Sequence, residues 1–141
     1  MPNIFRTSPR FVDGGLLIIR IIVGISFLLA HGIGKLTGGP ERWERTGNAM
    51  ANIGIEFFPF FWGFMAAFAE TFGGVLLILG LVFRPAAFLL LCTMIVAASR
   101  HIINGDSLSR IFHPIELGAV VLALMIIGAG KYSLDRIVFK K

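Results

Sequence analysis

The sequence predicts an all-α integral membrane four-helix bundle with an interfacial amphipathic helix between the first and second spans. Three observations carry this. Apolar side chains make up 56% of the 141 residues and charged ones only 15%, where a globular domain carries about a quarter. A soluble domain of this size has too little polar surface to cover them. The apolar residues gather into four runs, at about 14–33, 57–83, 85–103 and 111–130, each near the ~20 residues that a bilayer crossing takes. The connection between the first two runs is longer than neighbouring helices need and has a helical pattern of its own. One transmembrane domain over 14–130 follows, flanked by tails at 1–13 and 131–141.

The 1–13 tail is polar, with Arg6, Arg10 and two prolines. It resembles the start of a signal peptide, but Arg20 interrupts the apolar run and Ala30-His31-Gly32 is no small-x-small cleavage site, so retention is expected. In the first span Arg20, Gly24, Phe27 and His31 fall on one face, with Lys35 about 60° round. Residues 36–56 turn at Gly38-Gly39-Pro40 and then read as a short helix. Pro40, Glu41 and Glu44 suit its first turn, Trp43, Met50 and Ile53 form its apolar stripe, and Gly54 ends it. It is read as an interfacial anchor or as a lid over the bundle mouth. Arg84-Pro85 makes a tight link from the second span to the third, whose far end carries Arg100 and His101. The fourth span places His113 and Glu116 three apart on one face.

The second span holds Glu70 near its middle. A carboxylate at that depth is costly and needs a partner or a retained proton. Gly63, Ala66, Ala67, Gly73 and Gly74 lie within about 60° of it, and small residues admit a neighbouring helix. Glu70 is therefore expected to face protein, with Phe61, Phe68, Leu76 and Leu79 turned toward lipid or other contacts. Arg20 and His31 compete as its partner, each displaced in depth to one side of it; the plainer reading of Arg20 is that it snorkels to the near interface. A structural ion pair that fixes helix register is the plainer alternative to a functional acid.

With four spans, both tails share a side with the Arg84 turn. That side has Arg6, Arg10, Arg84, Lys131, Arg136, Lys140 and Lys141; the other has Lys35, Arg42, Arg45, Arg100 and Arg110. The bias puts both termini in the cytoplasm; the membrane itself is expected to be a bacterial inner membrane. That orientation gathers His31, Lys35, Arg100, His101, His113 and Glu116 toward the outer mouth, with Glu70 deeper. The net charge of +5 is scattered between apolar runs, so it marks loop anchoring and no nucleic acid partner. The single cysteine, Cys92, allows neither a disulfide nor a dithiol. A metal site from His31, His101, His113 and Glu116 lacks the i, i+4 histidine spacing of helical metal motifs.

Three stretches together resemble the DoxX family of small four-span membrane proteins: RIIVGISFLLAHGIGKLTG, AETFGGVLLILGLVFRPAA and GAGKYSLDR. The resemblance runs from about Gly15 to Arg136. It implies four spans with an interfacial or re-entrant segment after the first. It also implies an association with thiosulfate:quinone oxidoreduction or with membrane oxidoreductase complexes of oxidative-stress defence. Glu70 in AETFGG and Lys35 in GIGK match positions that the family pattern features.

Three functions remain open. The first is an accessory or membrane subunit of a quinone-linked oxidoreductase, with Glu70 passing protons and Arg20, His31, Lys35, His101, His113 and Glu116 as ligand-binding candidates. No intrinsic cofactor is expected beyond a bound quinone, since no dinucleotide fingerprint is present, so electrons would come from a partner oxidoreductase. The second is a small homo-oligomeric, proton-coupled transporter. The third is a non-catalytic assembly or scaffold protein. Whether the chain is an enzyme stays undecided at this point.

Overall fold

The computed structural model describes residues 8–139. Residues 1–7 and 140–141 of the expected tails lie outside the described residues. Helix α1 runs Pro9–Leu36, and α2, Gly39–Gly47, continues into a 3-10 turn, Asn48–Ile53. Helices α3, α4 and α5 run Pro59–Leu79, Phe83–Ile103 and Leu108–Ile127, and a short α6 covers Leu134–Phe139. Four of these, α1, α3, α4 and α5, are long and apolar enough to cross a membrane. The chain is an all-helical, multi-pass membrane bundle in contact with the bilayer.

Local chemistry sets the ends. Ser8 caps α1 by accepting from the Arg10 N–H, with Pro9 in the first position, so the helix starts before the apolar run does. Gly80, at φ 65°, stops α3 inside the 57–83 run. Within α1, Ser26–Gly32 is a π-helical segment. Such wide turns recur at functional sites, and this one contains His31.

Helix α3 is the hub. A Cβ on Gly24 would stand 2.7 Å from the Gly74 carbonyl oxygen, and one on Gly74 would stand 2.8 Å from that of Gly24. The backbones of α1 and α3 therefore touch at this crossing. Gly63 meets the Trp43 carbonyl and Gly47 that of Pro59, again with no room for a Cβ, so α2 lies directly on the start of α3. On its other side α3 packs against α4, and α4 against α5. Phe27, Leu77, Phe83, Leu90 and Val121 fill the core. Phe61, Phe68 and Leu79 are exposed, as expected of the lipid face, and Leu76 is half-buried.

The expected stripe on α2 is only partly buried. Trp43 packs edge-on against Phe60 and Phe64 and donates its indole N–H to the Lys35 carbonyl at 2.8 Å. Met50 is half-buried, but Ile53 is 45% exposed. A 3-10 turn advances about 120° per residue, against about 100° in an α-helix, and rotates Ile53 off the stripe.

The C-terminal segment, read above as a tail, folds back. The Asp135 carboxylate accepts from the Val82 and Phe83 N–H groups at 2.7 and 2.9 Å. This caps α4 where Val82 sits at φ 45°. Asp13 accepts from the Lys131 N–H at 2.9 Å.

Candidate functional site

The bundle has two ends. The short-turn end holds the 80–82 turn and the C-terminal segment. The long-loop end holds residues 37–58 and 104–107. The candidate site lies at the long-loop end, built from Lys35 near the end of α1 and Glu70 in α3.

The Lys35 Nζ lies 2.8 and 2.7 Å from the two Glu70 carboxylate oxygens. The Glu70 side chain is 1% exposed and that of Lys35 24%. Glu70 thus faces protein, as its small neighbours imply, and its counter-ion is Lys35. Neither Arg20 nor His31 takes that place. Helical side chains lean toward the N-terminus of their own helix. In α1 that lean carries Lys35 back into the bundle, and in the antiparallel α3 it carries Glu70 toward the long-loop end, so the two meet. The same lean takes Arg20 away from Glu70, toward the C-terminus of α3.

Arg20 is 1% exposed, so it does not snorkel to the interface either. Its Nε donates to the Leu77 carbonyl at 3.1 Å and its Nη2 to that of Ile78 at 3.0 Å. Its Nη1 donates to the carbonyls of Ala129 and Tyr132. Leu77 and Ile78 lie in the last turn of α3, where carbonyls lack helical partners and the dipole favours a cation. Arg20 is therefore a buried cap that ties α1, α3 and the C-terminal segment together.

The outer-mouth constellation divides. The His31 and His113 rings lie 5.5 Å apart, and the His31 ring lies 6.1 Å from Phe27. His101 instead places its Nδ1 2.6 Å from an Asp106 oxygen, in the turn after its own helix. Glu116 is exposed on α5. Among the described residues no three His, Cys, Asp or Glu side chains gather as metal ligands, so the four-residue metal site is not assembled.

Beside the pair opens a cleft of about 470 Å³ whose lining includes Lys35, Glu41, Arg42, Arg45, Thr46 and Arg100. The Arg42 guanidinium reaches back over Gly34, where a Cβ would stand 3.7 Å from its Nη1. The sequence alone reads Arg42 and Arg45 as loop anchors. The signal available was the spacing of Arg42 and Arg45, three apart on the exposed side of a helix opposite Trp43 and Gly47. Lys35 belongs both to the lining of the cleft and to the buried pair, so it stands between an open polar space and a buried carboxylate.

Comparison with known proteins bears on this arrangement. The chain is 31% identical over 149 residues to an uncharacterised protein of Haemophilus influenzae, with all of both chains covered. No solved structure matches. The DoxX family model matches residues 15–103, which include Lys35, Glu70 and the connection between them. On that match and that relative, this chain belongs to the DoxX family.

Proposed function

We propose that this protein is an inner-membrane accessory subunit of a quinone-linked oxidoreductase, with both termini in the cytoplasm, and that the Lys35–Glu70 pair handles a proton there. The observation that carries the proposal is the pair itself: a buried carboxylate whose cation is also reachable from an open cleft. Reduction of a quinone takes two electrons and two protons. The electrons come from the partner oxidoreductase. Lys35 donates a hydrogen bond to a quinone oxygen as charge develops on it. A carboxylate that loses its cation in a buried site binds a proton, so Glu70 takes up one proton and passes it on when Lys35 returns. The second proton is drawn from solvent. The test is Glu70→Gln in its own membranes. Quinone-dependent turnover should fall at least tenfold while the protein still accumulates and extracts as a folded species. Unchanged turnover overturns the proposal.

A second reading is favoured by the completeness of the polar contacts. Among the described residues no buried side-chain nitrogen or oxygen lacks a hydrogen-bond partner, as a packing-only scaffold requires. On that reading Glu70→Gln changes stability alone. A proton-coupled transporter is separated from both by proton flux into liposomes that Glu70→Gln abolishes. We also propose a homo-oligomer, because Glu116 and His113 lie exposed on α5, where a lone bundle would present them to lipid.

A further inference from the structure

We infer that the cleft at the long-loop end is a binding site for a phosphate oxyanion, held chiefly by Arg42, Arg45 and Arg100. The inference does not depend on the quinone proposal, because Glu70 takes no part in it. Three guanidinium groups from two separate segments, α2 and the last turn of α4, line one cleft. Among the described residues none of the three is engaged in an ion pair. The buried Arg20 and half-buried Lys35 have partners, four carbonyls and Glu70, and the exposed Lys131 has Asp13. Of the lining, only Glu41 brings a carboxylate, and Thr46 adds a hydroxyl. Three like charges around one cleft, none in an ion pair among the described residues and facing a single carboxylate, repel one another, and an anion relieves that repulsion. Guanidinium forks match phosphate oxygens two at a time, which selects a tetrahedral oxyanion over a halide.

The position narrows the source. Arg100 lies in the last turn of a membrane-length helix, at the depth where lipid headgroups lie. An anionic phospholipid brings its phosphate to that level, and free inorganic phosphate enters the same cleft from the aqueous side. The chemistry is shared, and the experiment separates the sources.

Purified full-length protein is placed in micelles of a phosphate-free maltoside detergent, and its thermal midpoint is followed in two titrations. One adds inorganic phosphate; the other adds phosphatidylglycerol. A rise with phosphatidylglycerol alone assigns the site to a lipid headgroup, and a rise with inorganic phosphate in lipid-free micelles assigns it to the free anion. In either case the triple variant Arg42→Gln, Arg45→Gln, Arg100→Gln must lose the rise, each arginine removed weakening binding on the order of tenfold. Without added anion the variant should melt no lower than the parent, because none of the three side chains makes an ion pair among the described residues and removing three like charges relieves their repulsion. A second variant guards against a folding defect: Arg84→Gln at the short-turn end should keep the full rise. No rise with either anion overturns the inference. So does a rise that survives in the triple variant or disappears equally in Arg84→Gln.

Discussion

Lys35 and Glu70 show how far a sequence specifies a partner. That Glu70 needs one follows from its depth, and that it faces protein follows from the glycines and alanines around it. Which residue answers it does not follow from helical depth alone. Depth arithmetic sets Arg20 and His31 at comparable offsets, and side-chain lean decides for Lys35. The pair carries a prediction about energy. Lys35→Met leaves a carboxylate without its cation at 1% exposure, and breaking such a buried pair from one side costs about 3–5 kcal/mol. Adding Glu70→Gln removes the orphaned charge, so the double variant should recover most of that loss. Reversible unfolding in detergent reads both. If the double variant is no more stable than Lys35→Met alone, the loss came from Lys35 packing and not from its charge. Arg20 sits at the other extreme. Its four carbonyl acceptors lie in α3 and in a C-terminal segment more than a hundred residues away in sequence, and no local pattern announces them.

At the scale of the element, the helices were legible and their joints less so. The four spans follow from apolar run length, and α2 follows from Pro40 with its early acids and from Gly54, which takes φ 86°. The π-helical segment does not follow, since SFLLAHG has no composition that separates it from a regular helix. Nor does the strap at the short-turn end, because it depends on a fold-back of residues that read as a basic tail. Asp135 holds that strap. It accepts from the Val82 and Phe83 N–H groups at the start of α4 and sets a negative charge at the positive end of the helix dipole. Asp135→Ala should cost about 1–2 kcal/mol, the upper range for an N-cap. Asp135→Asn, which keeps an acceptor but drops the charge, should cost roughly half as much. Urea midpoints of the two variants against the parent would check the order. Equal costs would mean that the charge contributes nothing.

For the whole molecule, the two ends differ in kind. The short-turn end is fastened by Arg20, Asp13 and Asp135, each pairing across segments distant in sequence. The long-loop end holds the cleft, the arginines that make no ion pair among the described residues and the cation that reaches Glu70. Fastening at one end and open charge at the other suits a bundle that acts at its long-loop end. The flank of α5 raises a separate question. Glu116 is eight residues into a helix of 20, hence about 12 Å along it, and it is exposed with His113 one turn before and Ala119 and Ala123 beyond. Facing lipid, that carboxylate costs about 2.5–3.5 kcal/mol; facing a second copy, it meets polar groups across small residues that admit a close approach. The proposed oligomer therefore has a definite surface. Ala123→Cys, in a background where Cys92 is replaced by Ala, should give a disulfide-linked dimer on mild oxidation in native membranes. Phe88→Cys, exposed on α4, should not. Replacing Glu116 by Leu makes the same face a good lipid surface, so cross-linking at position 123 should then weaken. Cross-linking at position 88 in place of 123 would put the interface on α4 and leave Glu116 facing lipid.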